Sequence, residues 1–359
     1  MTAETRTHIP HGLGGKLEEH VNKDSWAFFV QFEPVKNTVI EVNPHINAPF
    51  NLVIGEPSPL GLFAHSSYLD WESLPQYLST DARALECLRE HKRTALLGRA
   101  LFADDRGTIY RDIDLKGIGY IESDSNSGSF YIANPGGLTN TGGVLGLLDR
   151  DVALEDYMFN EDFIKAGIRT YRTIAILETD EVVIDGKVVS LKQARRKKLI
   201  PWLTREFHPV IQVRAFTTRA RVQNLDHKTD PELRRLLFED ARLIISQELG
   251  KKPFSDETYL RWFAGTLGKN VALMHRNGWI HRYLSPHNVT LDCRIVDLDS
   301  VAESFSDNDR AVDRAGAKGV LRNLVDYYLG VYGRESEIFG IFDASYESTI
   351  PKRITLFKK

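Results

Sequence analysis

"GWIHRYLSPHNVTLDCRIVDLDSV", residues 278–301, gathers His281, Arg282, His287, Asn288, Asp297 and Asp299 into one short stretch. Before it, Leu260, Phe263, Leu267, Val271 and Met274 recur at steps of three and four, the spacing of one apolar helix face. A long helix therefore delivers the chain into a polar loop. Residue chemistry alone leaves two readings of that loop open. Asn and Asp side chains often fasten a turn by hydrogen-bonding its backbone, with Asp297 and Asp299 capping the next segment. Asn288 and Asp297 also offer amide and carboxylate oxygens, the hard donors that suit Mg²⁺.

Upstream the texture is different. A strand is expected over residues 26–32 and a short helix over 79–93, opened by a Ser-Thr-Asp cluster. Two extended segments between Ala95 and Leu115 flank the turn "ADDRG", and the second runs into Lys116-Gly117. A glycine-rich loop follows, with Gly119 early in it, and then an amphipathic helix, "DRDVALEDYMFNEDFIKAGI", closed by Gly167. Strands at Thr173–Leu177, Val182–Val189 and Val210–Phe216 complete a β-rich half. After Asn224 the periodicity becomes helical, beginning with "DPELRRLLFEDARLIISQEL".

The order helix, H-x-x-G-x-x-H-R, Asn and then Asp resembles that of protein kinases, with His275, Gly278, His281, Arg282, Leu284, Pro286 and Asn288 in register. The resemblance implies an α+β, protein-kinase-like, two-lobed fold. Its β-rich N-lobe would span residues 91–224 and its α-rich C-lobe 225–359, after an extension of unassigned role over 1–90. It also implies an ATP phosphate lysine, Lys116, held by a helix carboxylate, Glu155 or Asp156, with Gly117 and Gly119 beside the phosphates. Asn288 and Asp297 would carry Mg²⁺. Two departures are plain: no G-x-G-x-x-G precedes Lys116, and Tyr283 stands where kinases carry the catalytic aspartate.

A narrower resemblance is to the selenoprotein O family, kinase-like proteins that transfer AMP to protein hydroxyl groups. "RGTIYRDIDLKGIGY" matches its lysine strand, and "RDVALEDYMFNEDFIKAGIRTYRTIAI" matches its helix, with Gly167, Ile168, Thr170 and Arg172 in register. "VIQVRAFTTRARV" matches a segment in which two arginines seven apart grip the terminal phosphate of a flipped ATP; Arg214 and Arg221 keep that spacing. Asn288 and Asp297 stand nine apart, as the family's metal ligands do. The family's base, an Asp just before the metal-binding Asn, is His287, an imidazole that also accepts protons near neutral pH. The resemblance thus implies AMP transfer using ATP and Mg²⁺. The rival expectations are a kinase-fold phosphotransferase acting on a protein or small molecule, and a non-catalytic scaffold.

Composition narrows the classes further. A formal charge of −3 and an isoelectric point near 6.4 give no footprint for nucleic acid. The run Arg195–Lys198 reads as a solvated helix end or loop. With no apolar leader, no run of 18 apolar residues, and Cys87 and Cys293 far apart, the expectation is a cytoplasmic protein that contacts no membrane.

Overall fold

Every residue from Pro209 to Phe216 is buried, so this strand reads as an uninterrupted apolar run broken only by Gln212 and Arg214. A strand buried on both faces must lie in the middle of a sheet, and this one does. The computed structural model describes residues 27–48, 50–64, 84–88, 94–118, 147–184, 186–197, 206–226, 231–304, 306–329 and 334–350. They fall into two compact units. The first holds the described residues up to Tyr157 together with Arg172–Thr217; the second holds Met158–Tyr171 and everything from Thr218 onward.

The first unit contains β1 (Ala27–Pro34), β2 (Asn37–Val42), β3 (Leu62–Ala64), β4 (Ala84–Leu88), β5 (Thr94–Ala103), β6 (Ile109–Lys116) and β7 (Leu148–Asp149). Helix α1 (Arg150–Lys165) follows, with its first half in this unit, and then β8 (Arg172–Thr179), β9 (Glu181–Ile184), β10 (Lys187–Ser190), α2 (Leu191–Lys197) and β11 (Pro209–Phe216). The main sheet runs β2-β8-β11-β6-β5-β4-β1-β3, with β7 paired to β11. Ile113, Leu115, Ile174, Leu177, Ile211 and Val213 fill its core. Each such side chain stabilises by about 1.5–3 kcal/mol.

Of the helix expected over residues 79–93, the described residues, Ala84–Leu88, are instead the strand β4, and the rest lie outside the described residues. Ala84–Leu88 pairs with β1 through Phe28↔Cys87 and with β5 through Cys87↔Ala95. Helix propensity yields where two neighbouring strands each offer a ladder of hydrogen bonds. The strands before position 90, β1 to β4, therefore belong to the same sheet as the Lys116 strand.

The second unit holds α3 (Pro231–Glu248), α4 (Asp256–Arg276), the short strands β12 (Trp279–Ile280) and β13 (Ala302–Glu303), α5 (Asp307–Leu329) and α6 (Glu335–Thr349). Ser255 caps α4 by accepting from the Thr258 amide, and Asp256 and Glu257 favour its positive end. The apolar face expected for this helix is its buried one: Leu260, Phe263, Leu267, Val271 and Met274 are all within the core. Among the described residues no helix is long and apolar enough to cross a membrane.

Candidate active site

Lys116 closes β6, opposite Gln212 of β11 and Thr94 of β5. Its Nζ lies 3.7 Å from Oδ2 of Asp156 on α1, and both side chains are 1% exposed. Glu155 is exposed, so of the two candidate carboxylates Asp156 is the one brought to the lysine. At that separation the attraction is Coulombic rather than a hydrogen bond. Asp156 Oδ1 accepts from Gln212 Nε2 at 2.7 Å.

Gly117 continues the strand end with φ +99°, and a Cβ there would sit 2.3 Å from the Val210 carbonyl and 2.8 Å from the Leu148 Cβ. Only glycine meets both conditions. Gly117→Ala is expected to cost at least about 2 kcal/mol, backbone strain and clash together, read as a lower urea midpoint at unchanged slope. Gly119 and the rest of the glycine-rich loop lie outside the described residues.

The two arginines are placed differently. Arg214, in the first unit, stands opposite Asp114 in the β11–β6 register. Its Nε and Nη2 each donate to that carboxylate at 2.8 Å, and its guanidinium lies 5.2 Å from the Phe216 ring centre. Both partners are essentially excluded from solvent, so the charge is neutralised where it stands. Arg221, in the second unit, lies beyond the end of β11 and donates through Nη1 to the His287 carbonyl at 2.6 Å.

The polar loop after α4 is built around a short hairpin in the second unit. Val289 pairs with Ile295, and the Val296 amide donates to the Asn288 carbonyl at 3.0 Å. Asn288 thereby stands opposite Val296, and Asp297 is the next residue on. Nine positions of sequence become adjacency through this register alone. Asn288 Nδ2 donates to the Tyr283 carbonyl at 2.9 Å, which fixes the amide, while its Oδ1 is buried without a hydrogen-bond partner among the described residues. Asp297 is held in the left-handed region at φ 67°, a conformation disfavoured for a side-chain-bearing residue. Asp299 lies in the next 3-10 turn, Leu298–Ser300.

An orphaned amide oxygen suits a hard cation, and Asn288 with Asp297, one residue past its cross-strand partner Val296, would hold Mg²⁺. Among the described residues no cluster of three or more His, Cys, Asp or Glu side chains is arranged for a metal. His287 Nδ1 lies 2.6 Å from Gln223 Oε1, so Nδ1–H donates there and the neutral ring keeps its lone pair on Nε2. Tyr283 is exposed, and it is its backbone carbonyl that meets Asn288.

One organising residue has no signal in the sequence. Asp313 on α5, 1% exposed, accepts from the amides of His281 at 2.7 Å and Arg282 at 3.0 Å. It also faces His275 Nε2 at 3.3 Å, whose Nδ1 meets the Tyr346 hydroxyl at 2.7 Å. Arg282 is bent to φ 64° within this double grip. Close by, a Cβ on Gly316 would meet the Leu284 carbonyl at 2.2 Å, so α5 packs directly on the loop backbone. Nothing in "DRAVDRAGAKG" marks Asp313 among its neighbouring aspartates; only the contact does.

The hairpin tip is fastened by charge. Arg169 grips Glu248 with two nitrogens at 2.6 and 2.8 Å, and Arg294 binds Asp292 at 2.5 Å and the Thr170 carbonyl at 2.8 Å. Burial alone would raise the Glu248 pKa, but the Arg294 charge and the Arg169 hydrogen bonds win, bringing it from 4.5 to about 2. A depressed carboxylate pKa stabilises the fold above its unfolded value and stops doing so as pH falls through the folded one. Wild type should therefore exceed Glu248→Gln by about 3 kcal/mol at neutral pH. That gap should close between about pH 4.5 and 2, read from denaturant unfolding at stepped pH. Burial pushes the Cys293 thiol far above its ordinary pKa, which leaves it an inert packing group.

No protein-family model and no curated protein matches the sequence. Among solved structures, "WaaP in complex with acyl carrier protein" is 12% identical over 70% of this chain and 85% of that one, with a TM-score of 0.26. The Toxoplasma gondii specific rhoptry antigen kinase domain is 8% identical over 75% and 76%, with a TM-score of 0.35. At these values neither likeness bears on chemistry. The described residues form an α+β fold. In chain order it runs from a lysine-bearing strand and a carboxylate-bearing helix through four further strands to helices and a hairpin that presents Asn and Asp.

Proposed function

We propose that this chain is an ATP- and Mg²⁺-dependent transferase that moves AMP from ATP to an acceptor hydroxyl. The observation that carries the nucleotide part is the buried Oδ1 of Asn288, which has no hydrogen-bond partner among the described residues, on the hairpin that leads directly into Asp297. Bound Mg²⁺ would neutralise phosphate charge. Lys116, steadied by Asp156, supports binding of a phosphate oxygen. His287, with Nε2 as acceptor, supports removal of the acceptor's proton. With Tyr283 in place of an acid, positioning and charge neutralisation are left to supply most of the rate.

AMP transfer is supported by the motif resemblance. One observation favours the alternative, phosphoryl transfer: Arg214 is locked to Asp114, so the arginine that would grip the far phosphate of a flipped ATP already has a carboxylate. Incubating the protein with acceptor extracts and ATP labelled at the α or the γ phosphorus separates the two. Label kept from α supports AMP transfer, and label kept from γ supports phosphoryl transfer. Neither label, with Asp297→Ala equal to wild type, leaves the non-catalytic scaffold.

A further inference from the structure

Gln212 lies at the centre of β11, 0% exposed, between Ile211 and Val213. A buried primary amide in such a strand costs free energy unless its donors and acceptor are met. Both Nε2 hydrogens are used: one goes to Asp156 Oδ1 at 2.7 Å, the other to Thr173 Oγ1 at 2.9 Å. Its Oε1 has no partner among the described residues. The side chain is thus turned to serve the carboxylate, and its own oxygen is left unsatisfied. Thr173 Oγ1 takes the second hydrogen, and the ionised Asp156 Oδ1, an acceptor only, keeps the N–H side of the amide turned toward it.

The consequence reaches Lys116. Aspartate is short, and its Oδ2 meets Nζ only at 3.7 Å, too far for a hydrogen bond to fix the carboxylate plane. The plane is set instead from the other side, by the amide on Oδ1. Gln212 is also the residue opposite Lys116 in the β11–β6 register, so one strand pair carries both the lysine and the group that orients its counter-ion.

We infer that Gln212 is a positioning residue for the phosphate lysine, acting through Asp156 alone. The inference rests on the reading of Lys116 as a phosphate ligand, and its test keeps the two apart. ATP binding by the full chain is measured by calorimetry in excess chelator, so that only the metal-free contribution is read. Gln212→Met keeps the volume and removes the donors; Asp156→Asn removes the charge that Gln212 orients.

Each is expected to weaken ATP about 10-fold, one lost charge-assisted hydrogen bond. The double variant is expected to be no weaker than Asp156→Asn alone, because the amide then has no carboxylate to aim. A purely structural role would make the losses multiply. An approximately 100-fold loss in the double variant, or an unchanged Gln212→Met, overturns the inference while leaving Lys116 as a ligand. Should Gln212→Met fail to fold, the isosteric Gln212→Glu, which sets a second carboxylate against Asp156, must weaken ATP at least as much; unchanged affinity there also overturns it. A folded wild type that does not bind ATP removes both the inference and the reading beneath it.

Discussion

Asp297→Asn lowers transfer from ATP by about 10²–10³-fold while leaving the unfolding midpoint close to that of wild type. Asn removes the charge and keeps the shape. Asp297 occupies the left-handed region, which Asn tolerates better than other side-chain-bearing residues, so the backbone beyond the hairpin is kept. The loss is the one formal negative charge of the Asn288–Asp297 pair, and an amide oxygen binds Mg²⁺ more weakly than a carboxylate does. Rate measured at saturating ATP, beside a urea titration, checks both halves. A variant that unfolds as wild type does and transfers at the wild-type rate removes Asp297 from the chemistry.

Asp313→Ala is expected to cost about 1–3 kcal/mol or somewhat more, because it strips the acceptor from the buried His281 amide and also from the part-buried Arg282 amide. The loss should be local as well as global. Amide exchange at His281 and Arg282, slow when both donate to Asp313, should accelerate more than exchange within α4. Asp313→Asn keeps one acceptor oxygen and should retain much of the stability. A cost below about 1 kcal/mol for Asp313→Ala would mean that water replaces the carboxylate without penalty and the loop is held by other contacts.

Most of the scaffold was legible because its signals are local. The apolar steps along α4, the turn between β5 and β6, and the helix ending before Gly167 each arise from periodicity or turn chemistry within a few residues. Residues 84–88 were not legible, since only pairing with β1 and β5, on either side in the sheet, makes them a strand. Asp313 and Gln212 were hidden for a related reason. An aspartate on a polar helix and a glutamine in an apolar strand acquire meaning only from the groups the fold sets against them. Glu155 and Asp156 could not be told apart by alignment, and one residue of helical rotation decided it: one side chain is exposed, the other buried against Lys116. Arg214 shows the converse, a motif spacing kept in sequence whose side chain is engaged by the cross-strand Asp114.

The proposal is that Lys116 binds an ATP phosphate and that Asn288 and Asp297 bind Mg²⁺. Calorimetry of ATP binding with and without Mg²⁺ tests it most directly, on wild type, Lys116→Arg and Asp297→Asn. The account predicts that wild type binds ATP more tightly with Mg²⁺. It predicts that Lys116→Arg weakens binding in both conditions, and that Asp297→Asn binds the metal-free nucleotide normally but gains nothing from Mg²⁺. A folded wild type that binds no ATP, or an Asp297→Asn that keeps the full magnesium enhancement, contradicts it.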